Sequence, residues 1–289
     1  MSSPATHRRA ILMVLGAAIL FACAAACVKA LGGGIPLAMV VLFRGAFAWP
    51  VMLPLVARAG GWAALRTRNP WGHVGRVLFG LVGMAGAFHG YATMPLATVA
   101  ALGFTMPLFL TLLSVPLLGE RLDWRRLAVV VVGFGGVLVM LRPGLSAPGS
   151  ALDIGVVLLA ALAWALAMIS IRRMGEAGES GIAIVAWFAI GASAVALVFA
   201  WPVWIWPSAW QWALLMGIGV VSAFAQLLMT AAYRAGDTTL LAPFEYSGIL
   251  WTTLLGVLIW SEAPVVWDAV GMTILVACGL VIWRQGART

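Results

Sequence analysis

Residues 91–120 read YATMPLATVAALGFTMPLFLTLLSVPLLGE, and residues 233–262 read YRAGDTTLLAPFEYSGILWTTLLGVLIWSE. The two stretches align without a gap at a constant offset of 142. Tyr91 meets Tyr233, Ala100 meets Ala242, Leu108 meets Leu250, and Glu120 meets Glu262. Thr111, Leu112 and Leu113 meet Thr253, Leu254 and Leu255, while Phe104 and Thr105 face the related Tyr246 and Ser247. Apolar matches alone carry little weight, because any two hydrophobic helices score well against each other. A segment framed by Tyr at one end and Glu at the other, in both halves, carries more. The chain therefore reads as an internal duplication, with a first repeat over 1–146 and a second over 147–289.

Composition decides the solvent. The chain is 64% hydrophobic and 9% charged, with a mean hydropathy of +1.07, which excludes the soluble globular class. A helix needs about 20 apolar residues to cross a hydrocarbon core of ~30 Å, so this chain has room for about ten spans and almost no extramembrane domain. A β-barrel would show alternating polarity, and these unbroken apolar runs do not. The net charge of +8 does not point to nucleic acid, because the basic residues are dispersed at helix ends. Cys23, Cys27 and Cys278 lie in apolar spans with no His or acidic neighbour, so they read as small apolar fillers and no metal site is expected. MSSPATHRR leads into a span without a cleavage-type ending, so the first helix reads as retained.

Gly, Pro and charge breaks predict spans near 10–31, 36–57, 74–92, 96–118, 125–141, 153–172, 181–200, 210–232, 238–260 and 266–283. Of the 17 Lys and Arg, the loops on one side hold only Arg142, with Lys29 near the end of the first span and Arg44 inside the second. The others, Arg76 included, collect at the opposite helix ends. By the positive-inside rule both termini are cytoplasmic. The linker at 58–73, RAGGWAALRTRNPWGH, is expected to lie along the inner surface. Trp201, Trp204, Trp206, Trp210 and Trp212 read as an outer aromatic anchor. Five spans per repeat is an odd number, so the second copy enters the membrane from the other side. Inverted repeats of this kind place binding sites near the midplane at the repeat interface. Phe21 and Lys29 match Trp164 and Arg172 in the same sense.

These residues carry a resemblance. The duplicated segment, Lys29 closing the first span, Arg44 in the second, Pro107 with Gly119-Glu120, and APFEY at 242–246 with Glu262 resemble the drug/metabolite transporter superfamily in its ten-helix EamA-type branch. The resemblance covers essentially the whole chain. It implies an all-α integral membrane fold of ten helices in two inverted five-helix repeats. It also implies secondary transport of the kind seen in YddG-type exporters of amino acids and metabolites. APFEY is similar to relatives that take up S-adenosylmethionine. The second copy departs from the first, with Ser261 for Gly119 and Asp237 for Pro95, which implies halves of unequal function.

Polar groups within hydrocarbon usually line a cavity or pair with something. Arg44 is expected to face a central cavity and attract a carboxylate, or else to be tied to helix-end carbonyls or an acid. Glu245 shares a helical stripe with Gly248, Thr252 and Gly256, and could take a proton, bind an ammonium group or pair with Arg44. His89 lies beside the Gly80, Gly83, Gly86, Gly90 seam and reads as a substrate contact or a satisfied interface histidine. Trp164 offers an aromatic wall, and Tyr91 and Tyr246 offer hydroxyls. The inverted axis turns an outer pair, Lys29–Glu262, into an inner pair, Arg172–Glu120. These pairs are candidates for gates at opposite mouths, against the plainer alternative of ordinary helix-end charges.

The expected function is an inner-membrane carrier that exports amino acids and related small metabolites by alternating access, with a small-molecule substrate and the bilayer as its partners. Uptake or exchange of S-adenosylmethionine-like metabolites and export of cationic drugs are the alternatives. There is no phosphate-binding loop, so no cofactor and no nucleotide is expected. The histidines at 7, 73 and 89 do not form a nucleophile–base or metal set, so no catalytic residue is expected and a membrane enzyme or a channel is a remote reading. The oligomeric state is left open, a monomer included.

Overall fold

Glycine, proline and short polar caps set the helix ends. A computed structural model describes residues 4–103, 105–119, 124–141, 150–235, 241, 244–245, 247–262 and 266–286. Helix α1 (Pro4–Ala30) stops ahead of Gly32 and Gly33, both in the left-handed region. Helix α4 (Pro70–Thr93) starts on Pro70 after Asn69, whose Oδ1 accepts from Gly72 N at 2.9 Å. A capping box of Ser150 and Asp153 opens α8 (Ala151–Glu176), and the Ser180 hydroxyl caps α9 (Gly181–Ala200). Each cap satisfies amide donors that the first turn leaves unpaired.

Two expected spans are broken. The 36–57 span is α2 (Leu37–Ala46) followed by α3 (Trp49–Arg58), and 96–118 is α5 (Leu96–Gly103) followed by α6 (Met106–Leu118). Each second piece carries Pro near its start (Pro50, Pro107), where the missing N–H costs nothing in a fresh first turn but interrupts a continuous helix. The remaining helices are α7 (Trp124–Leu141), α10 (Ala209–Ala235), α11 (Ser247–Trp260) and α12 (Val266–Gly286). Together these make about ten apolar passes of an all-helical membrane protein. Arg8–Ala30, Leu37–Arg58, Ala151–Glu176, Gly181–Val203 and Ala209–Ala235 are each long and apolar enough to cross a bilayer.

Packing respects the duplication. The most extensive contacts are α4 against α8 and α1 against α10. These pair the third pass of one copy with the first pass of the other, in both senses. The α6–α8 and α1–α11 contacts exchange in the same way, as do α4–α9 and α2–α10, while α7–α12 and α2–α9 map onto themselves. Glycines make the α4–α8 seam. A Cβ on Gly83 would stand 2.5 Å from the Trp164 ring, on Gly86 2.7 Å from Ala160, and on Gly90 2.6 Å from Val157. The descending partner numbers show that the helices run antiparallel. Helices α8 and α9 bury runs of alanine, Ala160 to Ala167 on one and Ala183 to Ala200 on the other. Without a hydrophobic drive between helices in lipid, such close van der Waals contact is what holds them.

Other expectations are redrawn. The 58–73 linker is not a surface ribbon throughout: Gly61–Leu65 forms a 3-10 turn, Leu65 is buried, and the Trp187 indole donates to Leu65 O at 2.8 Å. Trp201, Trp206 and Trp210 are exposed as an anchor requires, but Trp204 and Trp212 turn inward onto Phe43, at 5.7 and 4.7 Å between centroids. Arg76, assigned to a helix-end surface, lies well inside α4, which starts at Pro70, and is only 2% exposed.

Candidate functional site

A cavity of about 850 Å³, counted out to its mouth, lies between the two copies. Helix α1 contributes Ala18, Phe21 and Ala22, and α4 contributes Gly83, Ala87 and Tyr91. Val99, Gly103 and Met106 come from the broken pass of the first copy, and Val157, Ala160, Ala161 and Trp164 from α8. Met229 of α10 closes one side, with Glu245, Gly248 and Thr252 on the broken ninth pass. Phe21 and Trp164, matched positions of the two repeats, meet edge to face at 6.3 Å. Small residues on α1, α4 and α8 leave the space, and aromatic and Met side chains line it.

Four of the expected cavity residues come together here: Tyr91, Trp164, Glu245 and Thr252. Glu245 is not within a continuous helix, because residues 244–245 form a 3-10 turn and α11 starts at Ser247. The break falls opposite the α5–α6 break, since Thr105 and Ser247 are matched positions. In the first copy the residue matched to Glu245 is Gly103, whose missing side chain faces open space. Glu245 Oε1 accepts a hydrogen bond from the Tyr233 hydroxyl at 2.8 Å, and Tyr233 is fully buried. Thr252 spends its hydroxyl proton on Gly248 O and Ile249 O, at 3.0 and 3.1 Å, so toward the cavity it presents an acceptor. Among the described residues the polar content of the cavity is thus one oriented carboxylate, the Tyr91 hydroxyl and the Thr252 oxygen, in an apolar and aromatic shell.

Arg44 and His89 lie elsewhere, and Tyr246 falls outside the described residues. Arg44 is 7% exposed and sits over the Phe188 ring of α9, and it is not among the residues that line the cavity. Its position on α2 explains this, because α2 packs on α9 and not on α8 or α11. His89 Nε2 faces Asp153 Oδ1 at 2.7 Å, tying the end of α4 to the start of α8. Lys29 and Glu262 form an ion pair, with Lys29 also 5.3 Å from the Trp260 ring centroid. Glu120 lies outside the described residues. Arg172 Nε pairs along its own helix with Glu176 at 2.8 Å, and its neighbour Arg173 reaches Leu117 O at the end of α6, Nε at 3.1 Å.

Glu179, between α8 and α9, was missed by sequence reasoning. Its carboxylate accepts from Thr67 Oγ1 at 2.8 Å, Arg68 N at 2.7 Å and Asn69 N at 3.0 Å, with His73 Nε2 at 3.5 Å. Burial pushes its pKa up, but these hydrogen bonds outweigh burial and hold it below the ordinary carboxylate value. Tyr233 was also missed as a site residue, although its match to Tyr91 in the duplicated stretch was the available signal.

The chain matches the EamA-like transporter family over residues 8–142 and again over 152–284. It belongs to the EamA-like transporter family. An S-adenosylmethionine uptake transporter of Rickettsia prowazekii (strain Madrid E) is 32% identical, covering 84% of this chain and 81% of that protein. The pseudopaline exporter CntI of Pseudomonas aeruginosa (strain UCBPP-PA14) is 32% identical over 93% and 94%. A riboflavin transporter of Rhizobium johnstonii is 30% identical over 88% and 83%. A solved crystal structure superposes with a TM-score of 0.79 at 22% identity, covering 96% of this chain and 98% of its own, and shares the fold. As an EamA-like protein the chain is a multi-pass secondary transporter of small metabolites and not an enzyme. Its two copies are the two EamA units.

Proposed function

We propose that the cavity carries α-amino-acid metabolites, with the substrate ammonium on Glu245 and an apolar or aromatic body against Trp164, Phe21 and Met106. The observation that carries this reading is the one carboxylate among the described lining residues, fixed by Tyr233 in a mostly apolar and aromatic cavity. A partly buried carboxylate in an apolar cavity favours a cationic partner, because pairing offsets the desolvation of both. The S-adenosylmethionine uptake relatives favour a second member of the same class, an amino acid with a flat aromatic base. Units 1–146 and 147–289 work as inverted repeats in the inner membrane with both termini cytoplasmic, and alternate access to the cavity. The antiparallel run of α4 against α8 supports the inversion. The substrate gradient gives direction, so a cell that makes the substrate exports it. Lys29–Glu262 serves as the clasp at the outer mouth.

The test is counterflow in proteoliposomes loaded with aromatic and aliphatic amino acids, S-adenosylmethionine or cationic drugs. Saturable exchange of amino acids or S-adenosylmethionine is expected. Glu245→Gln, which leaves the ammonium without its charge partner, weakens apparent affinity by at least about 30-fold, given ~2 kcal/mol or more for a desolvated pair. Absence of exchange for every amino acid and for S-adenosylmethionine sinks the proposal.

A further inference from the structure

One helical turn behind the cavity wall lies a second polar group. Gly80 precedes Gly83 by a turn on α4, and Gln226 precedes Met229 by a turn on α10. Arg44 of α2 and Arg76 of α4 are 7% and 2% exposed, and their guanidinium carbons lie 5.7 and 4.0 Å from the centre of one ring, Phe188 of α9. Arg76 Nη2 donates to Gln226 Oε1 at 3.0 Å, which fixes the amide of this 2%-exposed glutamine. The two donors flanking that bond, Arg76 Nε and Gln226 Nε2, are buried and have no acceptor among the described residues.

Two buried guanidinium groups gathered at one aromatic ring repel each other. The ring offsets part of their desolvation but carries no net charge. The described carboxylates are committed elsewhere: Asp153 to His89, Glu176 to Arg172, Glu179 to the linker, Glu245 to Tyr233 and Glu262 to Lys29. We propose that a small inorganic anion of the chloride class binds between Arg44, Arg76 and Gln226 as a structural counter-ion. Its size follows from the packing. A Cβ on Gly80 would lie 2.3 Å from Arg76 Nη1 and 2.4 Å from the Phe188 ring, and one on Gly45 would lie 1.9 Å from Ser193 Oγ. Helices approach this closely only where nothing bulky intervenes, so an organic carboxylate belongs in the cavity and not here. The anion joins α2 and α4 of one copy to α9 and α10 of the other, and thereby holds the repeats together.

The test uses the purified full chain in detergent, with chloride, bromide, nitrate or gluconate titrated at constant ionic strength. The unfolding midpoint rises saturably with chloride, bromide and nitrate and stays flat with gluconate. Gln226→Leu removes most of that response, as does Arg76→Met if it folds, while Glu179→Gln keeps it. Anomalous diffraction from a bromide-grown crystal places a peak in hydrogen-bonding reach of Arg76 and Gln226. Equal responses to chloride and gluconate, an undiminished response in Gln226→Leu, or no bromide peak at this group overturns the proposal.

Discussion

The two broken passes of this protein occupy matched positions and do different work. In the first copy the chain breaks after Gly103 and offers the cavity only space. In the second it turns at residues 244–245 ahead of α11 and offers an oriented carboxylate. The flanking tyrosines divide the same way: Tyr91 lines the cavity, whereas Tyr233 is buried and serves Glu245. Symmetry has been kept in the backbone and spent in the side chains. At the matched break the first copy contributes Gly103 and room, and the second contributes the carboxylate of Glu245.

The harshest way to break this comparison is to fill the space. Gly103→Leu places a side chain where nothing stands within 4 Å, so folding yield is unchanged and exchange falls to background. Normal exchange in this variant would show that Gly103 does not front the substrate path. Separating the tyrosines comes next. Tyr233→Phe removes a charge-assisted hydrogen bond of ~1.5–3 kcal/mol, so the KM for ammonium substrates rises by about tenfold. Tyr91→Phe leaves Glu245 oriented and changes KM less. Equal effects would place both tyrosines on the same footing.

The helix-end clasps give a smaller effect. A partly exposed ion pair contributes ~1 kcal/mol or less, so Lys29→Glu or Glu262→Lys alone slows exchange by no more than about fivefold, and the double swap restores it. Failure of the swap to restore exchange removes Lys29–Glu262 as a clasp. The smallest effect at neutral pH belongs to Glu179. Its folded pKa is depressed, so its contribution is complete above the ordinary carboxylate value and is lost as pH falls through the folded value. Thermal unfolding followed downward in pH should show an acid-side loss in the natural protein that is shallower in Glu179→Gln. Identical slopes would leave the linker network without a role in acid stability.

Much of this was legible in the sequence because membrane helices declare themselves by composition, and because duplication lets one half check the other. Trp164, Tyr91, Glu245 and Thr252 were all picked out from it. The placements that failed depend on which face a helix turns to which neighbour. Arg44 and Arg76 are spaced plausibly for a cavity and for a surface, respectively, and only the packing of α2 and α4 around α9 sends both to Phe188. The helix breaks were missed because Pro107 and Pro50 read equally well as tolerated residues inside a lipid-embedded helix. Glu179 was invisible because its partners lie more than a hundred residues away, and two of the four are backbone amides, which leave no mark in composition.

The alanine runs of α8 and α9 have a thermodynamic consequence. Alanine has no rotamers to lose, whereas each buried long side chain costs up to ~1.5–2 kcal/mol of conformational entropy to order. An interface built from it can exchange one packed arrangement for another without re-sorting side chains on either surface. The rotameric contribution to the difference between the two arrangements is therefore close to zero. In the alternating-access cycle proposed above, the bias is then left to the molecule in the cavity and to helix-end contacts such as Lys29–Glu262.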